Sequence, residues 1–304
     1  MTIDIDAAKR FLNAHGRLLD RRRFELLTGN GDPAAVLAAV DGYRNPDGGY
    51  GWGLEPDLRD KTSQPGAALH AFEAFADAAP ATTGHAAELC DWLDTITLPD
   101  GGVPFALPVE DPAGTAPFWA TADSSTSSLQ ITAVVTVNAL RLARHDSAVA
   151  KHPWLARATS YCVERIATER QWDQAIELCF ALQLLDALTD ERPELVAELE
   201  RVGAMTIPPS GVLHVAGGLP DEVLRPLDFA PYPDRPVRAL FRPDVVAADL
   251  ERVAAEQQAD GGWEVDFASY SSAAALEWRG YRTVWAVGVL LANGLVNGLV
   301  TRAR

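Results

Sequence analysis

The chain has little of several things, and each scarcity narrows what it does. Among 304 residues there are three cysteines, Cys90, Cys162 and Cys179, an odd number with no CxxC spacing and each inside an apolar helical pattern. That excludes a disulfide framework and a cysteine zinc cage, and predicts reduced core thiols of a cytoplasmic protein. Basic residues are outnumbered, 26 against 42 acidic ones, for a formal net charge of -16. A general nucleic-acid or anionic-membrane surface needs the opposite balance, so no nucleic-acid partner is expected. Long hydrophobic runs are missing as well. The longest, Trp285 to Val300, is interrupted by Asn293, Gly294, Asn297 and Gly298 and reads as a buried helix with its tail, because a membrane span takes about 20 mostly apolar residues. The N-terminus is polar, without the apolar stretch of a secretory signal. No GxGxxG or Walker loop points to a nucleotide, and no linker or low-complexity segment divides the chain, so one domain spanning 1–304 is expected.

What is present is a recurring turn. Asp47-Gly48-Gly49-Tyr50, Asp100-Gly101-Gly102-Val103 and Asp260-Gly261-Gly262-Trp263 share one pattern, each between two segments with apolar residues at three- and four-residue steps. Gly48 and Gly101 are 53 residues apart, and Gly101 and Gly261 are 160 apart, close to three such periods. Two further units are therefore expected in between, one near Trp154, where only helix is legible, and one at Pro208-Pro209-Ser210-Gly211. Helical segments are predicted at Asp4 to Leu27, Ala34 to Tyr43, Gln64 to Ala78, Gly84 to Thr97, Ser125 to Arg144, Trp154 to Arg170, Asp173 to Leu188, Pro193 to Ala204, Asp244 to Gln258 and Tyr281 to Asn293. Gly211 to Ala216 is the single strand candidate. Units of two helices cannot bury their apolar faces alone, so they must stack or close on one another.

Gln257, Gly261 and Trp263 stand at the spacing of the Gln-Trp motif of squalene and oxidosqualene cyclases, and Arg44, Gly48 and Tyr50 form a degenerate copy. On these residues the chain resembles the squalene-cyclase and prenyltransferase repeat family. The resemblance implies an all-α (α/α) toroid or barrel of five to six helix pairs in inner and outer layers, with an apolar central cavity. It further implies acid-initiated cyclisation or isomerisation of an isoprenoid or another apolar small molecule, that is, isomerase or lyase chemistry. The family's catalytic signatures are altered. Its Asp-rich acid motif is nearest at Ala122-Asp123-Ser124-Ser125-Thr126, with two acids replaced by serine. There is no Asp-Asp-x-x-Asp run and no zinc set, so no metal site and no cofactor is expected, magnesium entering only with a diphosphate substrate.

Two concentrations of chemistry-bearing residues stand outside that motif. The first, Glu55-Pro56-Asp57-Leu58-Arg59-Asp60, follows the first glycine turn; its acids suit general acid or base work, or serve as helix-entry charges balanced by Arg59. The second runs from Trp263 to Trp285, with Glu277, Arg279 and Arg282 among Trp278 and Tyr281. Aromatic faces beside an acid suit a passing cation, and an Arg-Glu seam between repeats is the alternative. The candidate acids are therefore Asp123, Glu55, Asp57 and Glu277. The candidate substrate-binding residues are Tyr50, Trp52, Trp119, Trp263, Trp278, Tyr281 and Arg282. Arg235, Arg238 and Arg242 flank a proline-rich loop suited to a lid or an anion site. His70 reads as a satisfied core histidine on an inner helix. Paired carboxylates and aromatics equally fit a carbohydrate-active (α/α) barrel, and a toroid filled by its own side chains fits a non-catalytic binding module.

Overall fold

The computed structural model describes residues 3–296, and over these the chain is helical. Helices α1 (Ile5–His15) and α2 (Leu18–Leu27) open it, followed by α3 (Pro33–Asp41), α4 (Pro65–Ala78) and α5 (His85–Ile96). Next come α6 (Pro117–Ala120), α7 (Leu129–Ala143), α8 (Ser147–Ala150) and α9 (Pro153–Thr168). The remainder are α10 (Ala175–Leu188), α11 (Leu195–Thr206), α12 (Pro226–Phe229), α13 (Pro243–Ala255) and α14 (Ser272–Ala292). The strand candidate becomes half of a two-stranded antiparallel hairpin, in which Leu213 faces Leu224 and His214 faces Val223. None of these helices is long and apolar enough to cross a membrane. In the run from Trp285, helix α14 ends at Ala292; positions 297–304 lie outside the described residues.

The described residues fold as two compact units, residues 33–171 with 269–274, and residues 3–32, 172–268 and 275–296. In the unit built on residues 33–171, α4 and α7 pack on each other and are buried nearly all round, whereas α5 buries one stripe, Ala86, Leu89, Cys90, Trp92 and Leu93. This sorts helices into inner and outer ones, as apolar composition requires: α4 and α7 are apolar over most of their circumference, and such a helix must be surrounded on most sides. In the other unit α10 is buried on most sides and packs on the one-sided α11. The three cysteines are buried free thiols, and burial pushes Cys90 up to about 12.

The glycine turns repeat their chemistry closely. Asn45, Leu98 and Gln258 each donate a backbone N–H to the carbonyl of the second glycine, Gly49, Gly102 or Gly262, at 2.8 Å. The first glycine stands at φ of 90°, 94° and 95° in the three copies, a left-handed conformation that side chains disfavour. The aspartate Oδ1 accepts the N–H of the second glycine at 3.0, 3.2 and 3.0 Å. The second glycine lies flat on an aromatic side chain of an outer helix, Trp92, Tyr161 or Phe11, at 2.7, 2.7 and 2.8 Å from where a Cβ would be. Each turn thereby seats itself on a neighbouring outer helix. At Gly211 the same turn recurs with serine for aspartate: φ is 69°, Gly211 N–H donates to the Pro208 carbonyl, and Ser210 Oγ accepts from Val212 N–H. Near Trp154 there is no such turn, because residues 153–168 are helical. That helix ends at Glu169 instead, whose side chain accepts from the Arg170 and Gln171 N–H groups.

Three helix boundaries differ markedly from expectation, one of them the start of α14, which lies at Ser272 and not at Tyr281. The segment Asp4 to Leu27 breaks at Gly16, which is extended at φ -75° and ψ 153°. Gly16 lies against Gly280 of α14, 3.4 Å from where a Cβ of Gly280 would be. The helix expected from Ser125 begins at Leu129, capped by Ser128, whose side chain accepts from Ile131 N–H. Ser125 and Thr126 bond to Asp123 and Ser127 bonds to Asp100, and side-chain bonds of this kind compete with the helix.

Candidate functional site

Residues 51–64 carry the first acidic cluster between the turn at Gly48-Gly49 and α4. The loop is pinched where Trp52 N–H donates to the Asp60 carbonyl and where Gln64 N–H donates to the Tyr50 carbonyl. Leu54 and Leu58 plug it into the core. This draws three carboxylates into the interior, leaving Glu55, Asp57 and Asp60 exposed by only 5%, 4% and 2%. Buried charge is costly unless compensated, so the partners decide what each acid does.

Asp60 is a staple. Its Oδ1 accepts from Thr62 N–H and Oγ1, and its Oδ2 from Glu110 N–H. Burial opposes ionisation of this carboxyl, and those hydrogen bonds outweigh it and hold the group below the usual carboxylate range. Asp57 also joins chain segments: its Oδ1 accepts Tyr270 N–H at 3.1 Å, and its carbonyl accepts Ala116 N–H at 2.8 Å.

Glu55 differs in bonding to a titratable side chain. Its Oε1 accepts Asp57 N–H at 3.2 Å, while Oε2 lies 3.0 Å from His70 Nε2. The other ring nitrogen of His70, Nδ1, lies 3.1 Å from Glu73 Oε2. Burial of His70 favours the neutral ring, but the hydrogen bonds to Glu55 and Glu73 prevail and raise its basicity above that of a free imidazole. Each ring nitrogen of the buried His70 thus faces a carboxylate oxygen.

Aromatic side chains flank that pair. Gly66, in the first turn of α4, leaves room for the Trp119 ring on one side and the Glu55 side chain on the other, 3.1 and 3.6 Å from where a Cβ would be. Trp119 stacks on Phe105 with ring centroids 4.4 Å apart and tilts against Phe118. Phe118 in turn meets the edge of Tyr270 at 5.8 Å. Phe118 is 50% exposed and Tyr270 42%, so the wall runs from solvent to the buried acid.

The other sequence candidates take different places. Asp123 is exposed; its carboxylate accepts from Ser125 N–H, Ser125 Oγ and Thr126 Oγ1, and these bonds lower its pKa. It thus holds a turn and gives up its proton readily to water, the reverse of a carboxyl that stores one. Tyr50 is wholly buried against Phe75, and Trp263 is 1% exposed with its indole N–H donating to the Val253 carbonyl. Both pack the turns into the core. Trp52 is 55% exposed, stands at φ 58° and donates its indole N–H to Asn45 Oδ1.

Glu277, Trp278, Tyr281 and Arg282 lie on α14 in the unit that contains residues 172–268. Trp278 makes edge contacts with Phe267 and Tyr281, and Arg282 lies 3.7 Å from the Trp285 ring centroid and bonds Asp228 at 3.2 Å. The flanking arginines of the proline-rich loop are engaged: Arg235 with Asp186 and Asp190, Arg238 with Asn293, and Arg242 with Asp244. Among the described residues, no group of three or more His, Cys, Asp and Glu side chains is arranged to hold a metal ion.

Sequence reasoning misses Glu73 and leaves His70 as an ordinary core residue. One signal marks them: His70, Glu73 and Asp77 put a polar stripe at helical spacing on a segment that from Ala67 on is otherwise made of alanine, leucine and phenylalanine.

No family model and no curated protein sequence matches the chain. Among solved structures it is similar to a variant of the type II terpene cyclase MstE from Scytonema, determined in complex with its product, merosterolic acid A. The TM-score is 0.53 at 13% identity, with 95% of each chain covered. The likeness shows the fold, a terpenoid cyclase-like α/α toroid.

Proposed function

We propose that this protein is a terpene-cyclase-like enzyme that starts a cyclisation or isomerisation of an isoprenoid or similarly apolar small molecule by proton transfer from the Glu55–His70 pair. The 3.0 Å contact between Glu55 Oε2 and His70 Nε2, beside the Trp119 wall, carries the reading. A general acid must hold its proton out of bulk water and next to the reacting atom, and a buried carboxyl–imidazole pair does the first. Aromatic faces supply the second need: their quadrupoles attract positive charge as it develops on a hydrocarbon. The fold shared with a type II terpene cyclase supports an apolar, isoprenoid-like substrate. Asp57 and Asp60 hold the loop in shape and take no proton in this scheme.

The test is incubation of the purified protein in D2O with isoprenoid alcohols, diphosphates and hydrocarbons, followed by mass spectrometry of the products. Wild type is expected to place deuterium on carbon in at least one product, and Glu55→Gln and His70→Asn to lose about 100-fold or more of the rate, the lower end of general acid contributions. Asp123→Asn is expected to keep it. Loss of the reaction in Asp123→Asn with retention in Glu55→Gln overturns the assignment, and so does product formed without deuterium.

A further inference from the structure

We propose that Glu73 is a positioning residue, which fixes the orientation and charge of the His70 imidazole so that its Nε2 proton stays aimed at Glu55. This rests on the reading of Glu55 and His70 as the acid pair, and adds to it a group that touches neither substrate nor Glu55.

Segment 65–78 has the composition of an inner helix and buries Ala67, Ala68, Leu69, Ala71, Phe72, Ala74, Phe75 and Ala78. A glutamate in such a segment, with its side chain 15% exposed, gives up hydration that a surface position would keep. An ion pair placed three residues apart only to support the helix contributes little even at the surface, too little to offset that loss. The placement makes sense through the ring it meets. An imidazole has two nitrogens, and the bond made by one determines what the other presents. With Glu73 Oε2 as acceptor at Nδ1, that nitrogen keeps its hydrogen, and Nε2 faces Glu55 with the mobile proton. As the Glu55 carboxylate takes the Nε2 proton and passes one on to the substrate, the ring becomes neutral with Nδ1–H still bound to Glu73 and Glu55 is again ionised. Recapture of one proton at Nε2 restores the starting state, so each cycle returns the same number of protons.

The loop 51–64 brings Glu55 to the ring, and α4 brings Glu73, with Asp77 one turn further along. Helix α7, packed on α4, contributes the buried Thr132, Thr136 and Asn138, none of which titrates. On α3 and α5, which also pack on α4, Asp41 and His85 pair with each other at 2.9 Å, and Glu88 of α5 pairs with Arg44 in the turn after α3.

The test follows the nitrogen resonances of His70 in the full chain labelled with 15N-histidine, assigned by their loss in His70→Asn. Glu73→Gln keeps an acceptor oxygen and removes the charge. It is expected to lower the midpoint of the His70 titration at least tenfold in proton concentration, and to mix the two neutral tautomers where the wild type has one. Glu73→Asp is expected to recover most of the midpoint, which a merely space-filling role would not require. If Glu73→Gln does not fold, the shorter Glu73→Asp must itself lower the midpoint, by less than tenfold. An unchanged midpoint and tautomer overturn the proposal. The readout needs no substrate, so a shifted His70 in a protein that labels no product leaves the role of Glu73 standing and removes the acid-initiated reaction.

Discussion

Two loops of the unit built on residues 33–171 begin alike and end differently. Each leaves an Asp-Gly-Gly turn and enters an inner helix, residues 51–64 before α4 and 103–128 before α7. The first folds inward on Leu54 and Leu58 and carries Glu55, Asp57 and Asp60 into the core. The second leaves Asp123 at the surface, where its oxygens serve the local turn. Asp123 is the acid nearest in sequence to the motif of the resembled family, and Glu55 is the one with a buried imidazole against it. Identical turns therefore fix where a loop starts and say nothing about which of its acids is desolvated; that depends on apolar residues between the acids, which anchor the chain inward.

The largest expected effect breaks the first loop at its centre. Glu55→Ala takes from the buried His70 one of its two carboxylate partners, and removing one member of a buried charged pair costs about 3–5 kcal/mol. Urea denaturation followed by circular dichroism measures it, and a loss under about 1 kcal/mol, the scale of a solvent-exposed pair, would mean that water already reaches the site.

The next effect tests what the loops share. Gly49→Ala and Gly102→Ala each push a Cβ to 2.5 and 2.6 Å from the Cβ of Ser63 and Ser127. Overpacking of that kind costs about 1–3 kcal/mol, and equal losses in the two variants are expected by the same assay. Unequal losses would show that one turn bears on its loop more than the other.

These glycine turns are the most legible part of the sequence, because a left-handed first residue and a second residue seated on an aromatic ring each admit only glycine and together leave a fixed spelling. The degenerate copy at Gly211 is legible on the same ground. The period points to a further copy near Trp154 that does not exist, because Glu169 ends that helix with its side chain and no spelling marks such a solution. The break at Gly16 is hidden because the apolar period runs on across it. The candidate site is half legible: Glu55 stands out among its neighbouring acids, whereas His70 looks like an isolated core residue. Its partner lies 15 positions away, across a loop whose path depends on packing. Tyr50 and Trp263 resemble cavity aromatics for a related reason, since a ring that plugs a turn and a ring that lines a cavity have the same sequence neighbourhood.

A smaller effect uses pH to separate the loops, since their groups shift in opposite directions. The His70 pKa in the folded chain lies above the ordinary imidazole value of 6.5. Its stabilising contribution is therefore complete below about pH 6.5 and is lost as pH rises through the higher folded value. Asp123 is shifted below the ordinary aspartate value of 3.8, so its contribution is present above about pH 4 and is lost as pH falls through the lower folded value. The difference in melting temperature between wild type and His70→Asn is thus expected to shrink from about pH 6.5 towards alkaline pH. A difference that grows with pH would mean that the ring is neutral in the folded protein and that the two carboxylates do not hold its proton.

The smallest expected effect belongs to Asp123 itself. Asp123→Asn keeps one acceptor oxygen for Ser125 N–H and loses the charge, which water and salt screen at an exposed position. Its denaturation midpoint near neutral pH is expected to fall only slightly, and the difference from wild type to vanish as pH falls through the Asp123 titration. Asp123→Ala removes the acceptor as well and releases Ser125 and Thr126, whose hydroxyls then bond to water at no great cost. A marked loss of stability in either variant would place Asp123 against something that shields it from solvent. The acid nearest the family motif would then regain its claim, and the contrast between the two loops would rest on the Glu55–His70 contact alone.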